Sequence, residues 1–293
     1  MSKEAGAGID GRALAQALLP AVLEAARLQL GYWRGDVVVD QKSDASPVTA
    51  ADRESEAILL AALAAHLPGV PVVAEEAVSA GHLPQVGWRF VLVDPLDGTR
   101  EFVAGREDFT INIALIEDGA PRWGLVYTPV KGELHVGFAD EGRGRAGVTD
   151  HNGEPAASGS AFRLAVPAQA ACPTSLDAAE RITTRTPPSN GLTAVASRSH
   201  GNAETESFLG TLSIRERISA GSSLKFCLVA QGDADVYPRF GPTMAWDTAA
   251  GHAVLSAAGG CVTTVEGTAL TYNAAAGRLL NPYFIGWGRA RQA

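Results

Sequence analysis

Val91-Leu92-Val93-Asp94-Pro95-Leu96-Asp97-Gly98-Thr99-Arg100-Glu101-Phe102 is the stretch around which the chain is organised. The apolar run 90–93 that leads into it is short, β-branched and aromatic, and reads as a buried strand. Asp94 stands at the end of that strand. Asp97 follows across a turn stiffened by Pro95. Two such charges ~4 Å apart repel by about 1 kcal/mol in bulk water and by roughly 4 kcal/mol at an effective dielectric of ~20. Carboxylates held this close at a dry strand end need a shared proton or a shared cation. Gly98 lets the backbone approach a ligand. Its N–H and that of Thr99 face outward if a helix starts here, which makes an anion site. A cation site beside an anion site points to metal plus phosphate; read alone, the same residues also make an acidic turn with no ligand.

Other acids fall at comparable places. The strand expected over 70–74 empties into Glu75-Glu76, as the next strand empties into Asp94. Two strands delivering carboxylates to one sheet edge is how a hard-cation site is built. Asp247 follows the proline-bearing loop 242–246 and opens a small-residue helix ended by Gly259-Gly260. In isolation it is an ordinary helix-start acid, as is Asp52 in the helix expected after Pro47. Together Glu75, Asp94, Asp97 and Asp247 offer oxygen ligands without histidine or thiol, a set that selects Mg²⁺, Mn²⁺ or Ca²⁺ over zinc. Ser197-Arg198-Ser199-His200 and Gly221-Ser222-Ser223-Leu224-Lys225 pair hydroxyls with cations, and Arg239 lies further on. Such loops bind phosphate oxygens, although each one singly also reads as a polar loop or a capped helix.

The 293 residues carry 46% hydrophobic and 19% charged side chains with a net charge of −8 and no basic run. That composition describes a globular protein with ample core and argues against a nucleic-acid polymer or a membrane surface as partner. Cys172, Cys227 and Cys261 are scattered and odd in number, as reduced thiols of a cytoplasmic protein are. The apolar segment 13–30 is interrupted by Gln16, Pro20, Glu24 and Arg27 and reads as a scaffold helix under an Asp10 cap, stopped by Gly31, neither signal peptide nor membrane span. Residues 109–136 pattern as an antiparallel meander. After it, strands and helices alternate, beginning with a strand over 162–166. The expected organisation is α/β: an α+β metal-bearing domain over 1–160, an α/β substrate domain over 161–293, and the active site between them.

Pro47-Val48-Thr49-x-Ala51-Asp52, Glu75-Glu76, Asp94-Pro95-Leu96-Asp97-Gly98-Thr99 and Trp246-Asp247-x-Ala249-Ala250-Gly251 resemble, in order, the signatures of the inositol monophosphatase superfamily. More narrowly, the segments 221–230 and 237–243, Ser197-Arg198-Ser199-His200 and Leu280-Asn281-Pro282 resemble its bacterial 3′(2′),5′-bisphosphate nucleotidase branch. Ala77 after Glu76, and Arg100 where lysine is usual, depart from the pattern without removing a ligand; the segment 139–190 matches poorly. The resemblance implies a layered α-β-α-β-α sandwich. It implies two or three Mg²⁺, replaceable by Mn²⁺, with inhibition by Li⁺ and Ca²⁺. Glu75, Asp94 and the Leu96 carbonyl would hold one ion, and Asp94, Asp97 and Asp247 another. Catalysis would rest on Glu75 and on Thr99 with Asp52, which orient and deprotonate the attacking water. Gly98, Thr99, Ser197, His200, Ser222, Lys225, Arg239 and Asp247 would hold the substrate, and Lys42 would ride a mobile loop over the metals.

The implied reaction is hydrolysis of adenosine 3′,5′-bisphosphate to AMP, with 3′-phosphoadenylyl sulfate as a second substrate, clearing a by-product of sulfate assimilation. The place is the cytoplasm or the inner-membrane face turned toward it, as monomer or dimer. An inositol or fructose-1,6-bisphosphate phosphatase on the same metal core, and a nucleotide sensor without turnover, stand as alternatives. On the metal reading, Asp97→Asn cuts kcat by orders of magnitude while the protein stays folded; steady-state kinetics beside a circular-dichroism melt test this.

Overall fold

The structure, a computed structural model, describes residues 9–35, 40–41, 47–139, 159–197, 202–274 and 277–289. Helix α1 (Gly11–Tyr32) opens under Asp10, whose Oδ1 accepts the N–H groups of Arg12 and Ala13 at 3.0 Å each. It continues through Gly31 to Tyr32, because Gly31 keeps a helical conformation and Trp33 caps the end. A small antiparallel pair, β1 (Asp40–Gln41) with β2 (Pro47–Val48), precedes α2 (Ala50–His66).

The first sheet takes its strands in chain order: β3 (Val72–Ala74), β4 (Arg89–Asp97), β5 (Thr110–Glu117), β6 (Ala120–Thr128), β7 (Glu133–Ala139), β8 (Gly159–Ala165) and β9 (Glu180–Ile182). Short helices α3 (Glu75–Ser79) and α4 (Thr99–Val103) follow β3 and β4. β3 and β4 run parallel, and the later pairs are antiparallel, with β5 to β7 forming the expected meander. The strand expected to open the second half is β8, and it pairs with β7 along its whole length. The first sheet therefore continues past residue 160, and the second begins only after Ile182. That second sheet has the order β11-β10-β12-β14-β13, from β10 (Leu192–Ser197), β11 (Ile214–Ala220), β12 (Val236–Arg239), β13 (Cys261–Thr264) and β14 (Phe284–Trp287). Helices α5 (Ala203–Gly210), α6 (Leu224–Ala230) and α7 (Ala245–Ala257) accompany it.

Alternation along β4 shows the layering. Val91 and Val93 face α1 and α2, joining Leu18, Leu19, Leu59 and Leu63. Phe90 and Leu92 face the other way, toward Phe226 of α6, Val254 of α7, and Tyr237 and Phe284 of the second sheet. Both faces of the strand are buried, which is why its sequence is apolar without a break. Ala194, Val236 and Ile285 on the far face of the second sheet cover Leu209 of α5. The layers are thus α-β-α-β-α. Among the described residues no helix is long and apolar enough to cross a membrane.

Helix α7 lies very close to the first sheet because glycines make room for it. Gly124 and Gly137 are register partners on β6 and β7. A Cβ on Gly124 would stand 2.4 Å from the Ala250 carbonyl oxygen, and one on Gly137 would stand 2.5 Å from Val254 Cα. Neither contact is with the end of a flexible side chain, so the helix itself would have to move. Overpacking of this kind costs about 1–3 kcal/mol. Gly137→Ala is expected to lower stability by that amount in denaturant titration, and to weaken turnover as well, because α7 carries Asp247.

Candidate active site

Parallel pairing of β3 with β4 brings their C-terminal ends to one edge. Glu75 starts α3 directly after β3, and Glu56 of α2 fixes that start by accepting the Glu76 and Ala77 N–H groups at 2.8 Å each. On β4, Asp94 pairs with Asn112 of β5; the register then shifts, and Asp97 pairs with Thr110. Pro95 and Leu96 make the shift, since Pro95 has no N–H for the ladder. The Pro95 carbonyl is taken by buried Gln29 of α1, Nε2 to oxygen 2.7 Å. Asp247 arrives from the other sheet's side, on the first turn of α7.

Carboxylate oxygens of Glu75, Asp94 and Asp247 all lie within 4.8 Å of one another. Burial first, and then the neighbouring carboxylates, push the Asp94 and Asp247 carboxyls well above the usual range. Asp97 stands beside this trio. Burial raises it to about 6, against Lys225 and the Ser223 N–H, which lower it. Its Oδ2 accepts the Ser223 N–H at 2.6 Å and Asn112 Nδ2 at 3.3 Å. Oxygen donors of one sign, half-buried or buried and mutually repelling, fit a hard divalent cation.

Thr99, the first residue of α4, donates its hydroxyl hydrogen to Asp52 Oδ1 at 3.1 Å, with the Leu96 carbonyl 3.4 Å away as an alternative acceptor. The other Asp52 oxygen accepts the Thr49 N–H at 2.8 Å and the Thr49 hydroxyl at 2.6 Å. Asp52 is therefore a capping carboxylate and a partner of Thr99 at once. Gly98 holds φ 94°, a left-handed turn suited to glycine, which aims Thr99 back at Asp52.

A cleft of about 460 Å³ lies over these groups. Glu75, Asp94, Leu96, Asp97, Gly98, Thr99 and Asp247 line it together with Ser197, Ser222, Lys225 and Arg239. Helix α6 begins at Leu224, and Ser222 sits before it in a left-handed conformation, φ 47°. Lys225 is 4% exposed. Burial lowers its ammonium to about 8, with Asp97 the largest opposing influence. Arg239 is 8% exposed; its Nη2 donates to the Pro242 carbonyl at 2.9 Å, while its Nε is buried with no hydrogen-bond partner. Ser197 and Arg239 are shared with an adjoining recess of about 210 Å³.

Of the residues singled out in the sequence, Lys42 and Arg198-Ser199-His200 lie outside the described residues. Asp52 sits one hydrogen bond beneath the cleft, and the others line it. Sequence reasoning missed the groups that hold Asp97. Asn112 is one, a buried amide in the otherwise apolar run Ile111 to Ile116 of β5, and that incongruity was the available signal. Ser223 is the other: its hydroxyl donates to Asn112 Oδ1 at 2.6 Å. Glu56 was missed for lack of any local signal.

A model of the inositol monophosphatase family matches residues 11–286. The 3′(2′),5′-bisphosphate nucleotidase CysQ of Escherichia coli (strain K12) is 40% identical over 249 residues, 85% of this chain and 87% of that protein. Among solved structures, CysQ from Bacteroides thetaiotaomicron, described as a bacterial member of that family, superposes with a TM-score of 0.74 at 35% identity, covering 97% of this chain and 100% of its own. An inositol monophosphatase from Zymomonas mobilis shares the fold, with a TM-score of 0.68 at 24% identity over 94% of this chain and 92% of its own.

The electrostatics make a signed prediction. A carboxyl raised in the folded state binds protons that the unfolded chain has released. Stability is therefore lost as pH climbs from the unfolded value, about 3.9, toward the folded one. Asp94→Asn removes that loss. In chelator its melting temperature is expected to exceed wild type, by more at about pH 8 than at about pH 5. Excess Mg²⁺ should reverse the order, because the variant has lost a ligand. Thermal melts with and without metal check it.

Proposed function

The chain belongs to the inositol monophosphatase family, and on that premise we propose that it is a Mg²⁺-dependent 3′(2′),5′-bisphosphate nucleotidase that hydrolyses adenosine 3′,5′-bisphosphate to AMP and phosphate. The observation that carries this reading is the cleft's mixed charge: the acid cluster shares its lining with two buried cations, Lys225 and Arg239. The acids, holding a cation, suit the phosphate that is cleaved. The cations suit a second phosphate that is kept. The Escherichia coli relative is named for a bisphosphate nucleotide activity, which supports the same choice.

Glu75, Asp94 and Asp247 would hold the cation, with Asp97 and the Leu96 carbonyl at its side. Divalent ions bound there supply charge neutralisation and Lewis acidity for phosphoryl transfer. The chain's own residues do the rest. Thr99 gives its hydroxyl hydrogen to Asp52, which frees its oxygen to accept a hydrogen from water and fix that water's direction. The water oxygen bonds to phosphorus, the bond from phosphorus to O3′ breaks, and the water's proton passes through Thr99 toward Asp52; O3′ takes up a proton from solvent, to which Asp52 returns its own. Arg239, Ser197 and Ser222 hold the retained phosphate and the nucleoside, so that the attack is in line.

Lys225 and Arg239 have different tasks. Lys225 is electrostatically tied to Asp97, so its removal disturbs the metal side as well as the substrate side. Arg239, the weakest of the influences on Asp247, is the cleaner probe. Arg239→Ala is expected to raise KM for adenosine 3′,5′-bisphosphate about ten- to hundredfold, from the loss of a charge-assisted contact. KM for inositol 1-phosphate should hardly move. Equal losses on the two substrates would remove the nucleotide assignment and leave a general phosphatase.

A further inference from the structure

The motif Leu280-Asn281-Pro282 takes no part in the chemistry above, yet it straps the start of α7. Leu280 makes an isolated antiparallel bridge with Met244. The Ala245 N–H donates to the Leu279 carbonyl at 2.7 Å, and the Asn281 N–H donates to the Thr243 carbonyl at 2.9 Å. The Asn281 side chain adds to this. One Nδ2 hydrogen goes to the Met244 carbonyl at 2.7 Å, and the other is shared between Thr248 Oγ1 at 3.0 Å and Thr243 Oγ1 at 3.2 Å.

Met244 is the residue on which Asp247 leans. The Met244 N–H donates to Asp247 Oδ2 at 2.8 Å, and the Met244 carbonyl accepts the Asp247 N–H at 3.2 Å. Met244 therefore holds the carboxylate with one backbone group and is held by Asn281 through the other. The strap is itself anchored in the core. Thr248 Oγ1 lies 3.2 Å from the Tyr272 hydroxyl, which lies 3.0 Å from His252 Nδ1, and all of these side chains are buried.

We propose that Asn281 is a positioning residue for Asp247: by fixing Met244 it presents the carboxylate to Glu75 and Asp94 in the arrangement a divalent cation requires. Partners that orient a ligand without touching the metal are worth about 10- to 100-fold in metal affinity. The inference rests on the metal-dependent reading above.

Mn²⁺ binding to metal-free protein tests it by calorimetry, with wild type, Asn281→Ala and Asp247→Asn side by side. Asn281→Ala keeps the backbone bonds of the strap and is expected to fold. Its Mn²⁺ dissociation constant should rise about 10- to 100-fold, and raising Mg²⁺ should restore its turnover toward wild type. A purely structural defect would not be cured by metal. If Asn281→Ala binds Mn²⁺ as tightly as wild type while Asp247→Asn does not, Asn281 has no positioning role and the metal reading survives. If Asp247→Asn also binds as wild type does, the metal reading itself falls. Should Asn281→Ala melt far below wild type, Asn281→Ser, which keeps one donor, takes its place; its affinity should then lie between the two, and wild-type affinity in it overturns the proposal.

Discussion

Close approach of α7 to the first sheet is the constraint on which the site depends. The acids of β3 and β4 come from one layer and Asp247 from another. They meet within 4.8 Å because the helix backbone lies against Gly124 and Gly137, where any side chain would push it away. Ala249, Ala250 and Ala253 complete the fit from the helix side, and Gly251 makes room for Phe226 behind it. The small residues of α7 are thus part of the chemistry, although none of them touches a substrate. They set how near one carboxylate can be brought to two others.

That nearness works against the fold. Three acids with mutual repulsion, two of them with carboxyls pushed well above the usual range, lower the stability of the metal-free protein. The surrounding structure over-determines the arrangement. Gln29 holds the Pro95 carbonyl, Glu56 holds the start of α3, and Ser223 with Asn112 holds Asp97. Each support comes from an element with its own buried face, so no carboxylate can retreat without unpacking a helix or a strand. Strain of this kind is sustained at functional sites and is released on binding. Ser222, left-handed in the lining of the same cleft, fits that pattern.

The local parts of this design were legible in the sequence. The β4 run, the Glu75 strand end and the Asp10 cap follow from windows of a few residues, and the structure places them as those windows imply. The turn expected between Asp94 and Asp97 is instead an irregularity within β4, which runs on to Asp97, because Thr110 of β5 still pairs with Asp97 beyond Pro95. Asp52 shows the limit of a window. It reads as a helix-start carboxylate and is one, but its second partner, Thr99, is 47 positions away, and only the family resemblance, not the window, paired the two. The extent of the first sheet was not legible, because β8 follows a Gly-, Asp- and Ala-rich stretch that looks like a boundary; which strand β8 pairs with is decided by long-range contacts. Gly124 and Gly137 carried no signal either. A glycine in a strand marks a close approach, but not what approaches.

Lys225 shows how a site built on electrostatics resists reading residue by residue. In the sequence it is a cation in a hydroxyl loop, hence a phosphate ligand. In the structure it is buried, with its ammonium lowered to about 8, and Asp97 is the influence that most favours its charge. A lysine so placed offsets part of the carboxylate charge, and it does so from the substrate side of the cleft. Arg239 acts on the acids less: it is the weakest influence on Asp247, its Nη2 is fixed on the Pro242 carbonyl, and its Nε is buried without a hydrogen-bond partner. Arginine suits that task, since its planar fork can rest one donor on the protein and turn another to a phosphate. The two cations therefore divide the work, Lys225 tempering the acid cluster and Arg239 reading the ligand. The order matters physically, because a fully compensated Arg239 would have no donor to offer, and an uncompensated Asp97 would be harder to keep ionised beside its neighbours.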